Sequence, residues 1–163
     1  MKKKVLFITQ GAIIAALYVV LTVLIDAFSL ASGAIQFRIS EALCIMPVFT
    51  PAAIPGLFIG CLMANLLTGA LIWDVIFGSL ATLIGAVFTY ILRKHVFIAA
   101  FPPVISNMLI IPFLLKYAYH LPDAIWFLML TVGAGEIISC VIFGLLLYGA
   151  LKNHRKYLSL ETD

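Results

Sequence analysis

Charge is scarce in this sequence, and the motifs of soluble enzymes are missing from it. The 163 residues include 10 Lys and Arg and 7 Asp and Glu, so 10% of the chain is charged, against about 25% in soluble domains. No Gly-rich phosphate loop, H-E-x-x-H motif or His–carboxylate cluster occurs, and the three histidines fall at predicted loops or helix ends. These absences argue against an enzyme and against ATP hydrolysis by this chain.

Cysteine is sparse as well. Cys44, Cys61 and Cys140 are far apart, each lies within an apolar run, and no pair has C-x-x-C spacing. Such isolated cysteines indicate neither a zinc site nor a disulfide framework and are typical of small buried hydrophobic residues. We therefore expect no metal site and no cofactor.

Apolar sequence is what the chain has in abundance. Hydrophobic residues make up 64% of it, and its mean hydropathy is +1.20. A chain of this size cannot hide so much apolar surface from water, so the composition predicts a protein embedded in a lipid bilayer. The net charge is +3, and the basic residues lie at the ends of apolar runs, which is typical of topology signals rather than of a nucleic-acid-binding surface.

Six apolar segments predict an all-α, polytopic bundle of six transmembrane helices in a single domain. The predicted helices cover residues of about 5–25, 39–50, 54–72, 74–93, 97–116 and 123–151. The first is longer than the apolar region of a signal peptide, so we interpret it as a retained helix. The second is too short to cross the hydrocarbon core at 1.5 Å per residue, which leaves open whether it is tilted, broken or continued past Pro47.

The orientation of the bundle follows from its basic clusters. Lys2–Lys4, Arg93–Lys94 and Lys152–Lys156 fall on the same side of a six-helix bundle. The positive-inside rule predicts that this side, and with it both termini, is cytoplasmic. The stretch from 36 to 41, the turn at Trp73 and the loop near His120 then lie on the outer side.

Small residues recur once per turn on three of the predicted helices. Helix three carries Gly56, Gly60, Ala64 and Thr68, and helix four carries Asp74, Gly78, Thr82, Gly85 and Thr89. Such stripes let helices approach closely in lipid, so we interpret them as packing surfaces inside the bundle. On helix one, Ala12 and Ala16 form a similar pair, for which internal packing and docking of another membrane protein both remain open.

Three carboxylates lie at or near membrane depth. Glu136 sits half way along helix six, where a charge is costly unless it is paired or hydrated, and Gly133 and Gly135 are expected to leave room for a ligand beside it. Asp74 is either an N-terminal helix cap or a site residue. Glu41 follows Arg38 by three residues, so the two form either an ion pair at a helix start or part of a site.

Two amides, Asn65 and Asn107, lie in apolar helices. Interhelical hydrogen bonding and ligand binding are both compatible with them; Asn107 lies between prolines that we expect to interrupt helix five. With the three carboxylates and Arg38, these amides predict one polar site on the outer side, near Phe37, Trp73 and Trp126. Excess negative charge and aromatic neighbours favour a flat, polar, cationic ligand, because carboxylates accept paired N–H groups and neutralise amines.

Three ordered stretches carry a family resemblance: QFRISEAL (36–43), GLFIGCLMANLL (56–67) and WDVIFGSLATLIGA (73–86). The pattern resembles the QueT family of queuosine-precursor transporters, which are substrate-binding S components of energy-coupling factor (ECF) transporters. The resemblance covers residues from about 5 to 150 and is strongest between 35 and 90.

This resemblance implies a pocket near the outer face, closed by the loop between helices one and two. It implies that Ala12 and Ala16 dock on a transmembrane T component, with two cytoplasmic ATPase subunits supplying the energy. The implied cargo is a 7-deazaguanine such as preQ1, which has a protonated aminomethyl group, or queuine. Glu41 is then expected to face the ligand, while Arg38 either orients Glu41 or contacts the ligand's carbonyl group.

Two other functions fit the same features. One is an S component for a different vitamin or nucleobase-like cargo, with which the same pocket residues are compatible. The other is a small membrane scaffold that binds no small molecule; it accounts for the small-residue stripes but not for three carboxylates at or near membrane depth.

Overall fold

The structure, a computed structural model, describes residues 2–27 and 38–154, and this part of the chain is all helical. The six helices are α1 (Lys2–Ala27), α2 (Ile39–Val48), α3 (Ala53–Leu67), α4 (Ile72–Ile91), α5 (Val96–Tyr117) and α6 (Ile125–His154). The predicted fold class, an all-α membrane bundle of six helices, is confirmed.

Four helices, α1, α4, α5 and α6, are long and apolar enough to cross a membrane. Large apolar side chains cover the outside of the bundle, among them Ile8 at 68% and Trp126 at 66% exposure, as expected for a surface in contact with lipid. Helix α3 is shorter than predicted and ends at Leu67. Its end is followed by Gly69 at a φ of 72°, a left-handed conformation that terminates α-helices.

Helices α1 and α3 are in backbone contact through their small residues. A Cβ atom added to Gly56 would lie 2.6 Å from the carbonyl oxygen of Gly11, and one added to Gly60 would lie 2.9 Å from the Cβ of Tyr18. The interpretation of this stripe as a packing surface is confirmed. Because Gly11 and Tyr18 face α3, Ala12 and Ala16 lie on the exposed side of α1.

Helix α2 is a ten-residue 3-10 helix that fills the centre of the bundle. Every residue from Ser40 to Val48 is buried, and the helix packs against α1, α4 and α6. At about 2 Å per residue it extends only ~20 Å, short of the ~30 Å hydrocarbon core. The helix ends at Val48, directly after Pro47, so it is not continued past this proline and is too short to span the membrane.

Helices α5 and α6 depart from regular geometry in different ways. In α5, Pro102 and Pro103 occupy the first turn of the segment Phe101–Tyr117, where a missing N–H costs nothing, and Pro112 lies within the same segment. The expected interruption of this helix lies at Ala100, two residues before Pro102, whereas the segment Phe101–Tyr117 is continuous through Asn107. In α6, a π-helical segment spans Ile137–Phe143, and its wider turn places three successive residues, 139–141, in the interior.

The alternating helices give the bundle two chemically different ends. At one end, called the basic end below, α1 begins with its lysines, α4 connects to α5 at Arg93 and Lys94, and α6 reaches Lys152. The other end, called the cavity end, contains the end of α1, the start of α2 and the α3–α4 and α5–α6 connections.

Candidate functional site

A cavity of about 430 Å³ opens at the cavity end of the bundle. Its walls come from the end of α1, the start of α2, the α3–α4 connection, the start of α4 and the α5–α6 connection. Its polar lining includes Thr22, Arg38, Ser40, Asn65, Asp74 and Tyr119. Most of the expected lid between α1 and α2, residues 28–37, lies outside the described part of the chain.

The Asp74 carboxylate is hydrogen-bonded to Tyr119 rather than serving as a helix cap. Leu71 holds the cap position of α4, and Asp74 follows in the first turn, so the cap interpretation is wrong. The Asp74 Oδ2 atom accepts a hydrogen bond of 2.7 Å from the Tyr119 hydroxyl. Asn65 donates from Nδ2 to the Asp74 backbone carbonyl at 3.2 Å, which confirms the interhelical hydrogen bond expected of this amide.

Tyr119 belongs to this site although no sequence pattern singled it out. Its hydroxyl also lies 3.4 Å from the backbone N–H of Leu71, which donates to it. Partial burial, together with the hydrogen bond to the Asp74 carboxylate, raises the pKa of the Tyr119 phenol above its usual value. The phenol therefore stays protonated at physiological pH and remains a donor to Asp74.

Arg38 lines the cavity, whereas Glu41 turns away from it. Within residues 2–27 and 38–154, Arg38 and Glu41 form no ion pair, because the Glu41 carboxylate accepts from the hydroxyl of Tyr18 and, at 2.9 Å, from the Cys44 thiol. The ion-pair interpretation of this spacing is therefore wrong. Glu41 is only 1% exposed, and Ser40 beside it still lines the cavity, so the two residues mark the boundary between cavity and interior.

Glu136 is the second carboxylate of this interior. Asn107 donates to its Oε1 at 2.9 Å, and the Cys140 thiol donates to its Oε2 at 3.1 Å. The interhelical hydrogen bond expected of Asn107 is thus confirmed, but the room expected beside Gly133 is not there, because the Met108 sulfur would lie 3.0 Å from an added Cβ.

Glu41, Glu136 and the residues bonded to them form one buried cluster. The buried cluster consists of Tyr18, Glu41, Cys44, Asn107, Glu136 and Cys140. The Cys140 thiol also lies 3.6 Å from the Glu41 backbone carbonyl, which links the two carboxylates. Every partner is a neutral donor, and in the described part of the chain neither carboxylate pairs with a Lys or Arg.

Two cysteines that are 96 positions apart in sequence meet in the buried cluster. Ligand atoms of Glu41, Cys44 and Cys140 lie within 4.8 Å of one another, a proximity that sequence spacing did not indicate. Both thiols donate hydrogen bonds to carboxylates, so they act as polar donors rather than as small hydrophobic residues. All three cysteines of the chain are free and buried.

The aromatic neighbours expected at the site are elsewhere. Trp73 is 54% exposed and stacks on Phe77 on the outside of α4, and Trp126 is also on the surface. Neither lines the cavity, and Phe37 lies outside the described residues. Tyr119 is the aromatic residue of the cavity wall; its aromatic character and its place in the α5–α6 loop were the only signals in the sequence.

The fold and the site together define a class of protein. A bundle with apolar outer surfaces, polar side chains around a cavity at one end and acidic groups buried beneath it is typical of membrane proteins that bind small molecules for transport.

Comparison with known proteins identifies the family. The family model described as "QueT transporter" matches residues 8–153, so the chain belongs to the QueT transporter family, and the resemblance inferred from the sequence is confirmed. The chain is 41% identical over 83 residues to the queuosine precursor transporter QueT of Lactococcus lactis subsp. cremoris (strain MG1363). That alignment covers 51% of this chain and 48% of the relative, so it spans about half of each. No solved structure matches the chain.

Proposed function

We propose that this protein is the substrate-binding S component of an ECF transporter and that it captures a queuosine precursor, a 7-deazaguanine such as preQ1 or queuine, from outside the cell. The observation that carries this proposal is the cavity of about 430 Å³ with Arg38, Asn65 and Asp74 in its wall. Its volume lies in the range of small-molecule sites, ~300–1,000 Å³. Such a cavity favours a ligand-binding subunit over a scaffold without a ligand.

The side chains of the cavity suit the edge of a guanine-like ring. Asp74 accepts from N–H groups, Arg38 donates to a ring carbonyl, and Asn65 supports Asp74 through its backbone. Buried hydrogen-bonding groups of this kind give strong discrimination, because a ligand that lacks the matching group leaves them unpaired.

The buried cluster is proposed as the acidic floor of the same site. Glu41 and Glu136 are two carboxylates without a basic partner among the described residues, and Asn107 orients the second of them. A pair of carboxylates is costly at membrane depth unless its charge is compensated. A cationic aminomethyl group on the ligand would supply that compensation. Glu41 directly follows Ser40, which lines the cavity.

Binding measurements test the cargo. Equilibrium titration of the purified protein with preQ1 and queuine, with guanine and riboflavin as controls, should give tight binding of a deazaguanine alone. Equal affinity for the controls, or no binding of either deazaguanine, contradicts the assignment.

The transporter module is proposed to dock on the exposed side of α1. Ala12 and Ala16 lie on that side, and small residues allow close approach of a partner helix in lipid. The partner would be the T component, which joins the protein to two cytoplasmic ATPase subunits. The basic end would face the cytoplasm with both termini, as the positive-inside rule expects.

Bulky substitutions test this docking surface. In cells that contain the complete transporter, Ala12→Leu with Ala16→Leu should block uptake and spare ligand binding by the purified protein. The matched control is Ile13→Leu with Leu17→Ile, which keeps the exposed face of α1 apolar and similar in volume. Normal uptake by the double alanine variant contradicts the docking role.

A further inference from the structure

Tyr119 is held in a defined position although it lies in a loop. Its backbone N–H donates to Leu114 O at 3.1 Å. Beyond it, Lys116 Nζ donates to the carbonyl oxygens of Pro122 and Asp123, at 3.2 and 2.9 Å. The α5–α6 connection is therefore tied together on both sides of Tyr119.

The residue after Tyr119 adopts an unusual backbone conformation. His120 has a φ of 55°, in the left-handed region that residues other than glycine seldom occupy. Such a conformation costs free energy and persists where the surrounding structure or the function requires it. At this position it turns the chain sharply while the Tyr119 side chain extends to the start of α4.

The hydroxyl of Tyr119 completes a pair of acceptors with Asp74. The hydroxyl proton is committed to Asp74 Oδ2 at 2.7 Å, which leaves the phenol oxygen as an acceptor. Among the described residues, no group donates to the other carboxylate oxygen, Oδ1. Both side chains line the cavity, as does Asp26 near the end of α1, so Asp74 and Tyr119 together present one carboxylate and one phenol oxygen to N–H groups of a ligand.

We propose that Tyr119 contacts the ligand and determines its specificity: with Asp74 it forms a two-acceptor edge that selects planar heterocycles carrying adjacent N–H groups, as an aminopyrimidinone does. This inference rests on the proposed function and adds a residue to its site. In the same geometry, the O–H of Tyr119 keeps the Asp74 carboxylate aligned. A phenylalanine at this position removes one acceptor and leaves Asp74 Oδ2 without its donor.

The test crosses two ligands with two variants. The ligands are preQ1 and its analogue without the exocyclic 2-amino group, and the variants are Tyr119→Phe and Tyr117→Phe. Tyr117 is a matched control because it is a neighbouring phenol, 67% exposed, that does not line the cavity. Affinities are measured by titration of the purified protein, with thermal unfolding recorded to verify that each variant is folded.

Wild type should bind preQ1 more tightly than the analogue by roughly tenfold to a hundredfold, the effect of one unmatched buried hydrogen bond. In Tyr119→Phe, the ratio of the two affinities should fall towards one, mainly because preQ1 binds more weakly. In Tyr117→Phe, this ratio should be unchanged. If Tyr119 has only a structural role, Tyr119→Phe should weaken the binding of both ligands equally and leave the ratio of their affinities unchanged. That outcome overturns this inference but leaves the proposed function in place. If wild type binds no deazaguanine, the proposed function fails and this inference falls with it.

Discussion

The cavity and the buried cluster each contain a carboxylate that accepts a hydrogen bond from a tyrosine: Asp74 from Tyr119 in one, Glu41 from Tyr18 in the other. The environments differ sharply, because Tyr119 is 39% exposed and Tyr18 is 1% exposed. Water can reach the cavity pair and replace the hydrogen bond between its two side chains. The buried pair is shielded from water, so we expect the loss of its tyrosine hydroxyl to cost the fold more stability than the same loss at the cavity.

The two regions meet at the first turn of α2. Ser40 lines the cavity and accepts a hydrogen bond of 2.8 Å from Thr22, while Glu41 enters the buried cluster. A 3-10 helix buried on all sides makes this possible, since consecutive residues of α2 face different parts of the interior. Substitutions on the two sides of this boundary should therefore have different effects.

The largest effect is expected from Glu41→Gln. If the buried cluster neutralises a cationic ligand, the loss of this charge should weaken binding by more than about a hundredfold, as removal of one partner from a buried charge pair costs on the order of 3–5 kcal/mol. Titration with preQ1 measures the loss, and size-exclusion chromatography in detergent verifies that the protein is folded. Unchanged affinity in a folded variant would remove Glu41 from the site.

A smaller loss of binding is expected from Asp74→Asn. This change removes the charge of the cavity carboxylate and keeps its size, so affinity for a deazaguanine should fall roughly tenfold to a hundredfold, the range for hydrogen bonds to charged groups. Thermal stability should stay close to that of wild type, because a neighbouring cavity can hydrate the amide. If Asp74→Asn unfolds the protein, the expected tolerance of the cavity to this substitution is contradicted.

The matched tyrosines provide the most direct contrast in stability. Tyr18→Phe should lower the free energy of unfolding by about 1–3 kcal/mol, because Glu41 then lacks a donor that no water replaces. Tyr119→Phe should cost less than about 1 kcal/mol, since its partner lies at a cavity. Denaturation in mild detergent with added SDS measures both values, and similar losses for the two variants would contradict the difference in environment.

The smallest effect is expected from Cys140→Ser. A serine hydroxyl can donate to Glu136 in place of the thiol, so stability should change by less than about 1 kcal/mol. Cys140→Val removes the donor at similar volume and should cost about 1–3 kcal/mol. The two variants are compared in the same denaturation assay. Equal effects of serine and valine would mean that Cys140 acts only as a packing residue.

Sequence patterns were sufficient for the outline of the molecule. Apolar runs of suitable length predicted the membrane bundle, and the stripe with Gly56 and Gly60 predicted a close helix contact, because both are local properties of one chain segment. The C-terminal end of α3 was predicted too far along the chain, and the interruption of α5 was predicted around Asn107 but lies at Ala100. A proline in the first turn of a helix and a proline that breaks one have the same sequence signal until the packing is known.

The composition of the site was decided by contacts across long distances in sequence. Six polar residues, Arg38, Glu41, Asn65, Asp74, Asn107 and Glu136, were predicted to form one site, and the structure divides them between the cavity and the buried cluster. Tyr119 reaches Asp74 across 45 positions, and Cys140 reaches Glu41 across 99. Periodicity tells which face of a helix is polar; which helix lies opposite that face is set by how the whole bundle packs.

By itself, the sequence determined that this is a membrane protein of six helices, that one end of its bundle is basic, and that it belongs to the QueT transporter family. Those properties follow from hydropathy, charge at segment ends and ordered motifs, all of which are readable along one chain. Only the tertiary structure decided that α2 is a buried 3-10 helix, that α6 contains a π-helical segment and that Tyr119 joins Asp74 in the cavity wall. These depend on the space left between packed helices, a quantity that no single segment contains.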